Sequence, residues 1–111
     1  LPYVITQTGQ SLTNGAANIP SGAQNVVFVY SPADNGGAAN TLPVGASIGT
    51  AGTWVATNKT VYDSENSTAL QRTVQAIYGS RGDPALGAGN FVPSNQPSGS
   101  YTAQVTYTLT V

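Results

Sequence analysis

The last eleven residues, Tyr101 to Val111, alternate apolar and polar side chains without one error. Tyr101, Ala103, Val105, Tyr107, Leu109 and Val111 fall on one face; Thr102, Gln104, Thr106, Thr108 and Thr110 fall on the other. That is the period-two pattern of a β-strand with one covered face. At about 3.3 Å per residue it spans roughly 36 Å, the full height of a small β-sandwich. Burying Tyr101, Val105, Tyr107, Leu109 and Val111 contributes roughly 8 to 15 kcal/mol gross. Ordering the segment costs roughly 16 kcal/mol. The two nearly cancel, so such a strand requires backbone partners on its flanks as well as a core beneath it.

The chain of 111 residues is expected to form a single domain over 1–111, large enough for one core. Its hydrophobic fraction of 40% supports a folded chain. Charged residues make up only 6%, against about 25% in ordinary domains. Three Lys and Arg cannot build the basic stripe that nucleic acid requires, so no nucleic-acid partner is expected. No apolar run approaches the roughly 18 residues of a membrane-spanning helix. With net charge −1, copies repel one another weakly, which favours self-association. Cys, Met and His are all absent, which excludes a disulfide, a thiolate, the usual zinc site and an imidazole base. The missing initiator Met fits a processed or trimmed chain, and the Thr/Asn/Gly-rich make-up fits an exported protein.

Along the chain, Leu1 to Gln7 reads as a short strand with Leu1, Tyr3 and Ile5 on one face, and 9–22 reads as loop. Asn25 to Tyr30 is apolar on both faces, which predicts a central strand covered on both sides and ended by Ser31-Pro32. Asp34-Asn35-Gly36-Gly37 predicts a turn. Leu42 to Ile48, which contains a proline, suits an edge strand. Thr53 to Thr57 and Thr60 to Tyr62 read as two short strands joined near Asn58-Lys59. Thr68 to Tyr78 supports two patterns: Thr68 and Gln71 fit a capping box with Leu70, Val74 and Ile77 on a helical face, whereas Thr73 to Tyr78 alternates as a strand. The surrounding β pattern favours a strand, with room for one helical turn before it. Residues 80–99 form a long Gly/Pro loop. About seven strands separated by turns point to a sandwich of the immunoglobulin type or a jelly roll.

Little here supports catalysis, and no enzyme activity is expected. The four carboxylates, Asp34, Asp63, Glu65 and Asp83, fall in predicted turns, where solvated side chains are a better reading than a glycosidase pair. A serine nucleophile would have to use Lys59 as its base. Asp63-Ser64-Glu65-Asn66 offers fewer oxygens than the 6 to 8 ligands calcium takes, so no metal or other cofactor is expected. Arg81-Gly82-Asp83 matches the integrin tripeptide, a short motif with a high chance rate. Asn58-Lys59-Thr60 and Asn66-Ser67-Thr68 satisfy the N-glycosylation pattern, also expected by accident in an Asn- and Thr-rich chain. Trp54, the single tryptophan, suits the core better than a sugar-stacking platform.

The segment Thr73-Val74-Gln75-Ala76-Ile77-Tyr78-Gly79-Ser80-Arg81, then a Gly/Pro loop, then Pro97-Ser98-Gly99-Ser100-Tyr101 and the alternating strand, resembles the end of the spore coat protein U domain. That domain also occurs in pilins of the archaic chaperone–usher pathway. Its pattern is an apolar strand closing in Tyr-Gly-Arg, then a Pro-Ala-Gly-Ser-Tyr turn opening a final strand of Val and Thr. Asn25 to Asp34 is similar to the family's strand ending in Tyr-Thr-Asp-Ala, and Leu1 to Ile5 to one of its mid-domain strands. The further N-terminal strands and Cys pair usual in the family are missing here.

The resemblance implies an incomplete immunoglobulin-like sandwich whose missing strand is supplied by a neighbouring subunit. It further implies a structural subunit of an extracellular fibre (pilus) or surface coat, exported through the periplasm, with identical subunits, a periplasmic chaperone and an outer-membrane usher as partners. Leu1, Tyr3, Ile5, Tyr101, Val105, Tyr107, Leu109 and Val111 are the subunit-interface candidates. Leu1 to Gln7 is either the donated strand or an internal one. The competing readings are a surface adhesin or lectin-like module, with Leu86 and Phe91 as loop candidates, and a viral capsid or decoration protein.

Overall fold

A computed structural model of the chain describes residues 1–30, 42, 45–55, 58–65 and 73–111. The predicted turn at 34–37, the capping box at 68–71 and the sequon asparagine Asn66 lie outside them. The described strands are β1 (Val4–Gly9), β2 (Thr13–Asn14), β3 (Ala17–Asn18), β4 (Gln24–Tyr30), β5 (Ser47–Ile48), β6 (Gly52–Thr53), β7 (Lys59–Asp63), β8 (Val74–Ser80) and β9 (Val105–Thr110). They form a four-stranded sheet in the order β5-β7-β1-β9, a three-stranded sheet in the order β6-β4-β8, and the small β2-β3 hairpin. Every ladder is antiparallel, and the fold is an all-β sandwich. No helix among the described residues is long and apolar enough to cross a membrane.

The core lies where β4 and β7 face each other, at Val26, Phe28, Trp54, Val61 and Tyr62. On β4 the alternation is strict: Gln24, Val26, Phe28 and Tyr30 are buried, and Asn25, Val27 and Val29 turn away from the core. The sequence pattern predicts cover on both sides of this strand, but Val27 is 45% exposed. Valine on the outer face reflects β propensity and its cross-strand neighbour Ile77, also exposed. On β7 two consecutive residues, Val61 and Tyr62, are buried. A register shift against β1 between Ile5 and Thr6 explains this, since the extra residue of a bulge breaks the alternation of faces.

Buried polar groups bind the outer segments to this core. Gln24, fully buried, donates from Nε2 to Ile19 O at 2.8 Å and Ser11 Oγ at 2.9 Å, and its Oε1 accepts from Leu12 N–H at 2.9 Å. It holds the β2-β3 hairpin, which turns at Gly15 (φ 60°). Ser64 accepts from Tyr3 N–H through Oγ at 2.8 Å and donates its own N–H to Tyr3 O. Gly9 is required by the close approach of Trp54, because a Cβ there would overlap the indole ring and lie 2.7 Å from its carbonyl oxygen.

The closing strand is shorter than its pattern. Val105 to Thr110 pairs with β1 in continuous register, from Gly9↔Val105 to Val4↔Thr110. Beyond Gly9 the ladder slips by one residue: Gln10 N–H still reaches Gln104 O, but the next bridge is Thr13↔Thr102. The extended run of Tyr101 to Val111 is thus broken by an irregularity, and only its C-terminal part is a regular strand.

Candidate functional site

Among the described residues, the two longest edges of the sandwich have no second partner strand. Among the described residues, β8 pairs only with β4 and β9 only with β1, so each presents a second row of backbone groups without a partner. On β9 the row in register with Ile5, Gln7 and Gly9 is Leu109, Tyr107 and Val105. This row faces the core side of the sheet, yet only Val105 is half-buried; Tyr107 is 50% and Leu109 60% exposed. The burial expected for the apolar row is therefore unmet. From the opposite sheet, Tyr78 of β8 reaches this row at Tyr107 and leaves Leu109 exposed.

Below this uncovered row runs a slot with two cavities. The larger, about 510 Å³, is lined by Tyr3 and Ile5 of the β1 segment, Val61 and Tyr62 of β7, Thr73, Val74 and Ala76 at β8, and Tyr107. The smaller, about 260 Å³, is lined by Leu12, Trp54, Tyr78, Gly79, Ser80, Ala103 and Val105. Among the described residues, no Asp, Glu, Lys or Arg lines either one. The boundary between them falls at Tyr78 of β8 and Tyr107 of β9, whose hydroxyls meet across the gap.

The protons of this bridge can be assigned. Gln7, buried at the centre of β1, must donate from Nε2 to the Trp54 carbonyl, at 3.3 Å, because a carbonyl only accepts. Its Oε1 therefore accepts from Tyr78 O–H, at 2.9 Å. Tyr78 has then used its only proton, so Tyr107 donates to it. The series runs Tyr107 to Tyr78 to Gln7 to Trp54, leaving the Tyr107 oxygen free to accept on the slot side. Burial, followed by the Tyr107 contact, holds the Tyr78 phenol well above its ordinary pKa of 10.0. Trp54 packs edge-on against Tyr78 with centroids 5.6 Å apart, and its buried Nε1–H has no acceptor among the described residues.

Of the interface candidates, Tyr3, Ile5, Val105 and Tyr107 line the slot. Leu109 and Val111 continue the same face beyond it, exposed. Leu1 projects fully into solvent ahead of β1. Tyr101 lies apart: its hydroxyl donates to Pro97 O at 2.6 Å and accepts from Gln96 Nε2 at 3.0 Å, pinning the long loop. Of Leu1 to Gln7, residues Val4 to Gln7 form part of an internal strand, with β7 on one flank and β9 on the other. The slot also uses Gln7, Val74, Ala76 and Tyr78, which the sequence did not single out for an interface. The signal was present in Val74-x-Ala76-x-Tyr78, an alternation like that of the closing strand.

Other motifs serve the fold locally. Arg81 donates through its guanidinium to Gly22 O at 2.9 Å, and Asp83 caps the 3₁₀ turn Pro84–Leu86 by accepting from Ala85 N–H at 3.0 Å. Leu86 closes that turn, exposed, and Phe91 is half-buried further along the loop. Asp63 accepts from Glu65 N–H and Glu65 from Ser47 O–H, while Ser64 points inward to Tyr3. No group of three potential metal ligands occurs among the described residues. Comparison with known proteins gives no match to any family model, curated protein or solved structure.

Proposed function

We propose that this chain is a structural subunit of an extracellular fibre or coat, and that a strand from a neighbouring copy completes its sandwich at the slot between β8 and β9. The observation that carries this reading is the pair of long edges, unpaired among the described residues, that flank a half-exposed apolar face. An added strand would satisfy edge N–H and C=O groups while alternate side chains enter the two cavities, the physics of strand addition. A small ligand would fill a cavity but leave the ladders open. The edges also lack the usual protection: β8 and β9 contain no charge and no proline, whereas β5 and β6 end their sheets after two residues each. With net charge −1, copies meet without electrostatic opposition.

The resemblance to the coat protein U and chaperone–usher pilin family agrees with this reading and supplies the rest of it. It adds the immunoglobulin-like topology, export through the periplasm, a chaperone that would shield the slot and an usher that would exchange it. Because β1 already has two flanking partners, the incoming strand is a segment other than Val4 to Gly9.

Electron microscopy of the concentrated chain, with amide hydrogen exchange before and after assembly, tests the proposal. Filaments or ordered oligomers should form, and amides of β8 and β9 that exchange quickly in dilute solution should become protected. A chain that stays monomeric at high concentration, with those amides already protected, would sink the reading.

A further inference from the structure

We propose that Tyr78 and Tyr107 form an oxidative cross-linking site, where a peroxide-driven one-electron oxidation joins the two sheets through a dityrosine bond. This goes beyond strand addition and does not rest on it, because it needs only the free chain. Tyrosines couple through the ortho carbons of their phenoxyl radicals, and the product carries its two hydroxyls side by side. The contact between the Tyr78 and Tyr107 hydroxyls already brings the rings together by those edges. Each ortho carbon is bonded to the carbon that bears the oxygen, so a small rotation of the rings brings two of them face to face. Cavities of about 510 and 260 Å³ on either side leave room for that rotation. A diffusing oxidant reaches both rings, since Tyr107 is 50% and Tyr78 37% exposed.

The rest of the chain offers an oxidant little competition. It holds no Cys and no Met, the sulfur side chains that take up oxidising equivalents most readily. Of the other tyrosines, Tyr30 and Tyr62 are buried. Tyr3 lies 5.8 Å from Tyr62 between ring centroids, but Tyr62 is only 2% exposed and so shielded from the oxidant. Tyr101 stands apart, its hydroxyl held by Pro97 and Gln96. A bond between Tyr78 and Tyr107 would tie β8 to β9, which belong to opposite sheets, in a chain with no cysteine for a disulfide.

The step balances with peroxide as the oxidant. Each phenol gives up one hydrogen atom, and the peroxide that takes both is reduced to two waters. The two radicals form one carbon–carbon bond between ortho positions. The hydrogen on each of those carbons then leaves as a proton and returns to a phenoxyl oxygen, restoring both hydroxyls. The chain ends lighter by two hydrogens.

The test exposes the intact chain, in dilute solution, to hydrogen peroxide and a haem peroxidase. A monomeric product should appear with the blue fluorescence of dityrosine, a mass lower by two hydrogens, and a peptide map that joins the segments holding Tyr78 and Tyr107. Because the bond ties residues 29 apart in sequence, it should raise Tm by roughly 10 °C through the lost freedom of the unfolded chain. Tyr107→Phe, at a half-exposed position where the fold tolerates loss of a hydroxyl, should abolish the product, whereas Tyr3→Phe should retain it. Coupling that maps to another tyrosine pair, that forms chiefly between chains or that survives Tyr107→Phe overturns the proposal. So does the absence of coupling under conditions that couple free tyrosine. A mapped bond that leaves Tm unchanged overturns it as a staple between the sheets.

Discussion

Leu109→Ala separates the cost of folding this chain from the cost of completing it. A leucine fully withdrawn from water contributes roughly 1.5 to 3 kcal/mol. Leu109 is 60% exposed, so the isolated chain realises only the remaining fraction, roughly 0.6 to 1.2 kcal/mol, in its own fold. The other part, roughly 0.9 to 1.8 kcal/mol, is gained only when something covers β9, and corresponds to about 4- to 20-fold in association. Phe28→Ala is the contrast: Phe28 sits in the core at 7% exposure, and its truncation should cost roughly 3 to 5 kcal/mol in the dilute chain. Urea denaturation at low concentration gives the first quantity for each variant, and sedimentation across a concentration series gives the second. Leu109→Ala should barely move the urea midpoint while shifting association by about an order of magnitude. If it destabilises the dilute chain as much as Phe28→Ala, the face is already covered within the monomer. If association is unchanged, nothing docks on β9. Either result refutes docking on the β9 face.

Four further substitutions test the frame around the slot. Gln24→Leu strands the half-buried Leu12 N–H and the Ile19 carbonyl, both served by the buried Gln24 amide, and should lower unfolding free energy by roughly 1 to 3 kcal/mol in urea; a neutral result would show that the hairpin is not held from there. Gly49→Ala would drive a Cβ into the Thr60 carbonyl oxygen and should lower Tm by roughly 10 °C. Gly79→Ala, with open space around the new methyl, should leave Tm nearly unchanged, and equal effects would contradict the packing described. Tyr78 has its pKa raised in the fold by burial and by Tyr107. Its contribution is therefore fully present below the ordinary value of 10.0 and is lost as pH climbs beyond it, because the unfolded chain ionises first. The stability difference between the unaltered chain and Tyr78→Phe, measured by denaturation from pH 8 to 12, should shrink above pH 10; a difference that grows would reverse the assignment.

How much of this was legible in the sequence depends on the range of the interaction. A run apolar on both faces located β4, and a short β-branched and aromatic run located β7. Period two located β1, β8 and β9, because each covers one face and the alternation follows from that alone. The same signal over-extended β9 to Tyr101, since the one-residue slip beyond Gly9 is set by pairing with a distant segment and leaves no mark on local alternation. The apolar run of β4 placed Val27 indoors, because valine satisfies β propensity on either face. Trp54 is in the core, as its single occurrence suggested. Gln7 was opaque: a glutamine on the inner face reads as a break in the apolar pattern until its partners, Trp54 and Tyr78, are seen from 47 and 71 residues away.

The distribution of edge protection joins these observations to assembly. A sheet that must stay solitary blunts its edges with charge, proline, bulges or brevity. In this sandwich brevity is used where edges lead nowhere: β5 and β6 offer two residues each. The bulge is spent inside the sheet, on β7 against β1. The edges of β8 and β9, seven and six residues long, carry none of these devices, and they flank the same slot. Carelessness in the sequence would leave random edges open, whereas here the two unguarded ones are those joined by the Tyr78–Tyr107 contact. The demand of the closing strand for a second flank is thus met by β1 on one side only. On the other side, among the described residues, lie a row of backbone groups without a partner strand and two apolar cavities divided by the Tyr78–Tyr107 hydroxyl contact.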